Sequence, residues 1–558
     1  MKMMQLIRLL LIVPVLLAGA CRNYARVIEE QPYYTADSPA GQIIAEAQKR
    51  PAVQPEVQLG RYLDAAALAA GILAGNPDSI QARLDYNYAA GRVIEVLNEA
   101  KLEPWRAAVA CPGKEGSWRL ALDTSNLPVR QNLDAFRVLA ADRYRFEGSL
   151  VKNRSLKDGL GAPVITATDG LDLTKTDRFA QGKTTYYGLT VILNFEKRNC
   201  TLRLLDPLSV ETLEMGGHSY DLAADFTAPL AMALAELKPR KQEIDRLVKP
   251  DEYAATARLA RLQPYDPAKI PLLCIHGLGD SHATWAPLIE TLRADPVIRQ
   301  RYQFWFFSYP TGLPYPLMAS VLRREMDAFS KTYPGHQPFV VVGHSMGGMI
   351  ARTLMTDSGM KLWNAYYDTP PRRTGLSPDT RKIMEGALIF RPRRDISRVI
   401  FASASLRGSE VATSFLGKIG SSLIGNNASI LGADAQEAVA AAKPPAEGDQ
   451  IKRMPNSIDL LDPENRFLKT INAIPPAKGI PYHSVMGDRG KGGNLNHTKP
   501  VSTDGLVPYW SSHIEGAQSE LIVPSGHWTN QHPAAIAEIG RILRQHVGHG
   551  PVVAAAKR

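Results

Sequence analysis

The sequence predicts an α/β fold for the C-terminal half of the chain, and three observations support this prediction. Apolar strand patterns alternate with helical patterns between about residues 262 and 548, as in a parallel sheet flanked by helices. One strand pattern, Phe339–Val342, runs through Gly343-His344-Ser345-Met346-Gly347 into a helical pattern. The preceding residues lack this alternation, and they predict a helical region over 56–143 and a β-rich domain over 144–237.

Length and charge limit the class of protein. A chain of 558 residues is too long for one ordinary core, so several folding units are expected. The net charge of +10 is spread through the chain, apart from short clusters such as Arg391-Pro392-Arg393-Arg394. No nucleic-acid-binding motif accompanies it, so we expect a solvated basic surface and no nucleic-acid partner. Attraction to anionic lipid head groups is the alternative.

The N-terminus predicts export. Two cations, Lys2 and Arg8, precede a short apolar run, Leu9–Leu17, which is followed by Ala18-Gly19-Ala20-Cys21. The run is too short to span a bilayer, which indicates a signal peptide over residues 1–21. A cysteine directly after small residues resembles the bacterial lipoprotein signal. The resemblance implies a lipidated Cys21 and a membrane-anchored protein of the bacterial envelope, facing the periplasm or the exterior; an ordinary signal peptide is the alternative.

The segments that follow differ in pattern. Residues 22–55 contain several prolines and no sustained periodicity, which predicts a tether. Two helical patterns, Leu59–Ala74 and Ile80–Leu102, are separated by Gly75-Asn76-Pro77-Asp78. This hairpin resembles a tetratricopeptide unit, but no second copy follows, so a repeat array is not expected. Which protein, if any, the N-terminal region binds does not follow from the sequence.

The β-rich prediction depends on two runs of β-branched and aromatic residues, Thr184–Phe195 and Cys200–Leu205, with a turn at Gly216-Gly217. A charged helical pattern over 238–261 predicts a connector to the next region. Six strands are expected there: Pro271–Ile275, Gln303–Ser308, Phe339–Val342, Arg398–Ala402, His483–Met486 and Glu520–Val523. The sequence predicts a mobile excursion from the domain over residues 438–449 and a disordered tail over residues 549–558.

Cysteine usage implies neither a disulfide framework nor a metal. After Cys21, three cysteines remain, and Cys274 lies in an apolar strand pattern that predicts a buried thiol. A bridge between Cys111 and Cys200 is left open. No Cys/His spacing indicates zinc, and no cofactor is implied.

The prediction of a catalytic serine depends on the position of Ser345 in a turn between a strand and a helix. A sharp turn of this kind lifts a serine hydroxyl above the sheet, and Gly343 and Gly347 let the backbone pack tightly around it. The helix N-terminus that follows supplies backbone N–H groups for a developing oxyanion. Ser345 is therefore the candidate nucleophile.

A serine nucleophile needs a base and an acid, and both candidates follow it in the chain. Asp504 lies in Asp504-Gly505-Leu506-Val507-Pro508, and His527 follows a predicted strand. Both then lie on loops at the carboxyl ends of strands, where ligands collect in open α/β sheets. An imidazole must take the serine proton, and a carboxylate must hold its tautomer. The alternatives are Asp488 for the acid and His532 for the base.

Residues 270–545 resemble α/β-hydrolase lipases and esterases. The matching pieces are His276-Gly277, Gly343–Gly348, Asp504–Pro508 and Ser525-Gly526-His527. One segment departs from the family, since Ala404-Ser405-Leu406 stands where lipase-like members carry Thr-Pro-His. The resemblance implies the α/β-hydrolase fold, a mostly parallel sheet flanked by helices with cap insertions.

The resemblance also implies an oxyanion hole. Its donors would be the backbone N–H groups of Leu278, after the His276-Gly277 turn, and of Met346. Glycine at 277 lets the backbone approach a substrate closely. We expect His276 to shape this turn and not to act as the base.

Two insertions, about 357–397 and 411–473, carry aromatic and apolar residues. They could form a lid or line an acyl pocket, or they could simply pack onto the domain. The expected activity is hydrolysis of a small-molecule or lipid ester through an acyl-enzyme on Ser345. An acyltransferase would share this intermediate, and a tethered binding protein with a degenerate hydrolase domain is the alternative from another class.

Overall fold

The computed structural model describes residues 23–49, 54–125, 136–168, 177–180, 184–237, 239–411, 413, 432–443, 455–489 and 503–548. They fall into two compact units, one within Met1–Lys238 and Arg293–Gln300, the other within Pro239–Leu292 and Arg301–Arg558. The predicted signal peptide with Cys21 and the predicted tail after residue 548 lie outside the described residues. No helix in the described part of the chain is both long and apolar enough to cross a bilayer.

The first unit is a sheet covered by helices. Its helices are α1 (Pro39–Gln48), α2 (Pro55–Gly75), α3 (Ile80–Glu99) and α4 (Ala228–Leu237). Its strands are β1 (Arg26–Glu29), β2 (Val109–Pro112), β3 (Ser117–Leu122), β4 (Phe136–Ala140), β5 (Tyr144–Glu147), β6 (Leu156–Lys157), β7 (Ala162–Thr168), β8 (Tyr186–Glu196), β9 (Asn199–Leu205), β10 (Thr212–Met215), β11 (His218–Asp221) and β12 (Ala224–Asp225). Six strands form one sheet in the order β2-β3-β9-β8-β7-β4, and α2 and α3 bury their alanine- and leucine-rich faces in its core.

The sequence predicted the long helices and strands of this unit, but not all of the short ones. Both predicted helices and both predicted strands are present, and Gly216-Gly217 forms the turn between β10 and β11. The sheet begins earlier than expected, because β2 to β4 lie in the stretch predicted as helical. Cys111 and Cys200 are buried and not bridged.

The predicted tether differs most from the structure. Within residues 22–55, β1 pairs antiparallel with β5, and α1 follows with Ser38 as its N-cap. The hydroxyl oxygen of Ser38 accepts a hydrogen bond from the amide of Gly41 at 2.9 Å. A four-residue strand and a ten-residue helix are too short to produce a clear periodicity among prolines.

The second unit is built on a seven-stranded sheet. Its strands are β13 (Arg258–Arg261), β14 (Ile270–Ile275), β15 (Tyr302–Ser308), β16 (Phe339–His344), β17 (Ile396–Ala402), β18 (Tyr482–Gly487) and β19 (Ser519–Val523). From residue 239 onward, the helices are α5 (Pro239–Val248), α6 (Ala286–Ala294), α7 (Pro296–Arg301), α8 (Tyr315–Thr332), α9 (Met346–Leu354), α10 (Lys361–Tyr366), α11 (Pro378–Leu388), α12 (Gly432–Ala440), α13 (Arg466–Asn472), α14 (Tyr509–Ser512) and α15 (Pro533–His546). Of these, α7 belongs to the first unit apart from its last residue.

The sheet order is β13-β15-β14-β16-β17-β18-β19, and every pair except β13–β15 is parallel. All residues of β14, β15 and β16 are buried, as expected for strands covered on both faces. The mostly parallel α/β sheet and its six predicted strands are therefore confirmed. The additional edge strand, β13, lies within the predicted helical connector, whose first part forms α5.

The two predicted insertions fold as short helices that pack together. The first contains α10 and α11, and the described parts of the second contain α12 and α13. With residues 314–317 they enclose an apolar cavity of about 70 Å³. Residues 412, 414–431 and 444–454 of the second insertion lie outside the described residues, and so does the second half of the predicted excursion at 438–449. Both interpretations of the insertions, a lid or acyl pocket and ordinary packing, therefore stay open.

Candidate active site

The candidate nucleophile occupies a strained turn between β16 and α9. Ser345 has φ 53° and ψ −125°, a conformation that side-chain-bearing residues rarely adopt. Its amide donates to the carbonyl of Ala402 at the end of β17. Gly347, two residues later, must be a glycine, because a Cβ there would lie 2.1 Å from the carbonyl oxygen of Ile275. The local sequence thus produces the sharp turn that was predicted.

The three candidate catalytic side chains form a hydrogen-bonded series. Nε2 of His527 lies 2.9 Å from Oγ of Ser345, and Nδ1 of His527 lies 2.8 Å from Oδ2 of Asp504. Ser345 follows β16, Asp504 lies between β18 and β19, and His527 follows β19. Of the predicted alternatives, Asp488 lies directly after β18, and His532 directly precedes α15.

Asp504 is a buried carboxylate with three donors. Its Oδ1 accepts hydrogen bonds from the amides of Leu506 at 2.9 Å and Val507 at 2.8 Å, and its Oδ2 contacts His527. Burial alone would raise the pKa of Asp504. The charge of His527 and the three hydrogen bonds outweigh burial and lower the pKa below its ordinary value. Asp504 is therefore ionised and can accept the hydrogen bond from Nδ1 of His527.

A further histidine, His344, positions the loop that carries His527. Nε2 of His344 lies 2.8 Å from the carbonyl oxygen of His527, and its side chain is fully buried. Burial lowers the pKa of His344 to about 3, so the ring is neutral. Because a carbonyl only accepts, the single proton must lie on Nε2. Sequence reasoning missed this role, although the residue lies in the variable position of the serine motif.

The predicted oxyanion turn lies against the nucleophile. A Cβ at Gly277 would come within 2.9 Å of Cβ of Ser345, so only glycine fits there. The amides of Leu278 and Met346 donate no hydrogen bond to an acceptor in the described part of the chain. Two backbone donors beside Ser345 are thus free to stabilise negative charge on a substrate oxygen.

His276 has the structural environment expected of it. Its ring is buried, stacks on Tyr309 with 4.4 Å between ring centroids, and contacts the carbonyl of Gly277 through Nδ1 at 3.1 Å. Burial lowers the pKa of His276 to about 3. The hydroxyl of Tyr309 donates to the carbonyl of His276 at 2.7 Å, which ties this turn to the end of β15.

Helix α5, in the predicted connector, also supports the oxyanion turn. The hydroxyl of Ser281 donates to Oε1 of the buried Glu243 at 2.6 Å. Arg246 on the same helix donates to the hydroxyl of Ser308 at 2.8 Å. The only signal of this contact in the sequence was a charged helical pattern, which more often indicates a solvated surface.

Ser403, at the end of β17, supports the histidine loop. Its φ is 42°, and its hydroxyl lies 2.5 Å from that of Thr529, two residues after His527. The same hydroxyl accepts a hydrogen bond from the amide of Gly487. Ser403 directly precedes Ala404-Ser405-Leu406, where the sequence departs from the lipase-like pattern.

The described residues contain no group of three or more His, Cys, Asp or Glu side chains that could hold a metal ion. The arrangement is instead that of a hydroxyl, an imidazole and a carboxylate in series beside two free amides. Such a set can take a proton from the hydroxyl and stabilise an oxyanion.

Comparison with known proteins finds one family model that matches this region. Residues 272–539 match the family model described as the alpha/beta hydrolase family. No curated protein matches the chain. Similar solved structures include the mature lipase BlEst2 of Bacillus licheniformis, at 17% identity, 51% coverage of this chain, 97% of that chain and a TM-score of 0.30.

Two further structures match over a similar share of this chain. A lipase-esterase related protein from Clostridium acetobutylicum has 12% identity, covers 52% of this chain and 99% of its own, and has a TM-score of 0.29. A metagenomic carboxyl esterase has 15% identity, 51% and 78% coverage, and a TM-score of 0.29. The family match and the mostly parallel seven-stranded sheet show that this region has the alpha/beta hydrolase fold.

Proposed function

We propose that the second unit is a serine hydrolase that cleaves carboxylic esters through an acyl-enzyme on Ser345. The observation that carries the proposal is the hydrogen-bonded series from Ser345 through His527 to Asp504. The positive φ of Ser345 and the free amides of Leu278 and Met346 support it, because they aim the hydroxyl and provide an oxyanion site.

In the first half of the reaction, Oγ of Ser345 attacks the ester carbonyl carbon while Nε2 of His527 takes the hydroxyl proton. The negative charge that develops on the carbonyl oxygen is stabilised by the amides of Leu278 and Met346. His527 then gives its proton to the alkoxy leaving group as the carbon–oxygen bond breaks. The products are a free alcohol and an ester on Ser345.

In the second half, water attacks the acyl-enzyme, and His527 accepts a proton from that water. Collapse of the second oxyanion releases the carboxylic acid and returns the proton to Oγ of Ser345. Throughout, Asp504 holds Nδ1–H of His527 and stabilises the imidazolium that forms. The protein thus needs no group besides its own side chains and amides for this cycle.

The test is hydrolysis of a panel of p-nitrophenyl esters of increasing acyl length by wild type and Ser345→Ala. The proposal expects turnover by wild type and a loss of roughly 10⁴- to 10⁶-fold in kcat for the variant. Equal rates in the two proteins would contradict it. Adding an alcohol acceptor and comparing free acid with transferred ester distinguishes hydrolysis from acyl transfer.

We also propose that this activity operates at the bacterial envelope, on a chain anchored through a lipidated Cys21. The support is the N-terminal sequence, with its short apolar run and the small residues before the cysteine. Metabolic labelling with a palmitate analogue should mark the wild-type protein in bacterial cells and spare Cys21→Ala. Equal labelling of both proteins, or none of either, would contradict the anchor.

A further inference from the structure

A wide cationic cavity lies between α8, α11 and the loop before β17. Its volume is about 680 Å³, and six cations line it: Arg323, Arg324, Lys382, Arg391, Arg393 and Arg394. Only two carboxylates, Asp327 and Asp395, line the same cavity. The lining therefore carries an excess of four positive charges.

Two of the six cations are used by the fold. Arg393 makes a two-pronged ion pair with Asp395 at 2.8 and 2.7 Å, and it contacts Asp327 at 2.7 Å. Arg323 donates to the carbonyl of Gly386 at 2.6 Å and lies over the ring of Phe390. Both carboxylates of the cavity are thus paired with Arg393.

The other four cations, Arg324, Lys382, Arg391 and Arg394, are exposed. None of them has a hydrogen bond or ion pair through its side chain in the described part of the chain. Four like charges around one cavity repel each other, and a bound anion would relieve this repulsion. Arg391 and Arg394 lie within two residues of the anchored Arg393 on the same loop.

The cavity lies away from Ser345. The carbonyl of Asp395, a lining residue, accepts the amide of Phe339 at 2.7 Å, and Phe339 is the first residue of β16. Ser345 follows the other end of this six-residue strand, about 20 Å further along. A ligand in the cavity would therefore be separate from an ester on Ser345.

We propose that this cavity binds a ligand that carries two or more phosphate groups. Arginine predominates, and its planar fork of N–H donors matches the oxygens of phosphate. The volume lies within the range of small-molecule sites. The phosphates could belong to a free oligophosphate or to neighbouring head groups of an anionic lipid surface, and both sources have the same chemistry.

The first measurement is calorimetric binding of inorganic tripolyphosphate to the full chain. The variant Arg324→Gln/Lys382→Gln/Arg391→Gln/Arg394→Gln is compared with a control, Lys361→Gln/Arg372→Gln/Arg373→Gln/Lys478→Gln. The control residues are also exposed, and the charge change is the same. We expect wild type and control to bind alike, binding to weaken with NaCl, and the cavity variant to lose at least about tenfold in affinity.

The second measurement uses sedimentation with phosphatidylcholine vesicles, with and without phosphatidylglycerol, on the same set of proteins. All of them carry Cys21→Ala, so that no lipid anchor contributes. Binding only to phosphatidylglycerol vesicles, lost in the cavity variant and kept in the control, supports the proposal with lipid head groups as the source.

Two results would overturn the proposal: wild type binds neither probe, or the cavity and control variants weaken binding equally. Equal weakening would mean that net charge alone attracts the anion. If the fourfold cavity variant does not fold, Arg394→Glu alone replaces it, with Arg373→Glu as the control. Ester hydrolysis should be unchanged in all of these variants, which makes this test independent of the proposed reaction.

Discussion

Each unit of the protein buries a carboxylate with three hydrogen-bond donors, and the two carboxylates serve different ends. In the first unit, Asp85 accepts from the hydroxyls of Tyr34 at 2.7 Å and Ser38 at 2.6 Å, and from the amide of Gln81 at 3.0 Å. In the second unit, Asp504 accepts from two backbone amides and from His527. Both side chains are at most 1% exposed.

The two carboxylates differ in the groups that donate hydrogen bonds to them. The donors of Asp85 are neutral groups that make only structural contacts, so the carboxylate holds the segment before α1 against α3. The imidazole on Asp504 has a second nitrogen, which is directed at a serine in a strained turn. A buried carboxylate is therefore structural or catalytic according to what its partner touches next. Four predictions test this comparison.

The largest effect is expected from Asp504→Asn. The amides of Leu506 and Val507 require an acceptor, so the new carboxamide would place its oxygen on them and its NH₂ toward His527. Nδ1 of His527 would then have to accept, and the proton would move to Nε2, which faces Ser345. We expect kcat for esters to fall by about 10⁴-fold with thermal stability nearly unchanged. Retained activity would show that Asp504 does not fix the tautomer.

The matched change in the first unit is Asp85→Asn, and its expected effect is on stability alone. The carboxamide loses the negative charge that the hydroxyls of Tyr34 and Ser38 contact. We expect a loss of about 1–3 kcal/mol in the free energy of unfolding, with kcat unchanged. Urea denaturation followed by circular dichroism measures the loss. A fall in kcat comparable to that of Asp504→Asn would remove the contrast between the two sites.

A partly buried acid of the first unit, Glu95, makes stability depend on pH. Burial raises the pKa of Glu95 from 4.5 to about 7, against the attraction of Arg92 at 2.9 Å, which also pairs with Asp142. The folded state therefore binds the proton more tightly than the unfolded state. This stabilisation is complete below pH 4.5 and is lost as the pH rises through about 7.

The loss across this window should be on the order of 2 kcal/mol. Glu95→Gln mimics the protonated form, so its stability should fall less between pH 5 and about 8 than that of wild type. Thermal unfolding at several pH values measures the difference. Parallel curves for the two proteins would mean that Glu95 is ionised in the folded state throughout.

The smallest effect is expected at His344, which holds the loop of His527 without touching substrate. His344→Phe removes the donor to the carbonyl of His527 and should lower kcat by about tenfold, with KM nearly unchanged. His344→Gln keeps an N–H donor and should stay within about threefold of wild type. Equal losses in the two variants would indicate packing, not the hydrogen bond, as the cause.

Strong local signals made much of this structure predictable. Buried parallel strands are runs of apolar residues, so β14, β16 and β17 were evident in the sequence. The turn at Ser345 requires glycines at fixed positions in the sequence. The acid and the base are expected to follow the serine in the chain, and this order limits the candidates for each. These features are local or ordered along the chain, which is why the sequence could single out Ser345, Asp504 and His527, whose side chains form one hydrogen-bonded series in the structure.

The rest depends on contacts between distant residues. Nothing near Glu243 indicates that it meets Ser281, and nothing near β1 indicates that it pairs with β5. The cavity beside α8 combines cations from three separate segments, of which only the run at 391–394 was visible as a cluster. Such contacts have no periodicity and need a structure to be seen.

The central claim is that Ser345 is the nucleophile. Folded wild type and Ser345→Ala are each treated with a fluorophosphonate probe, and the labelled residue is mapped by peptide mass spectrometry. We predict stoichiometric labelling of wild type on Ser345 and none of the variant, since only a serine activated by His527 attacks the phosphorus. Label on another residue, or no label on folded wild type, would contradict the account.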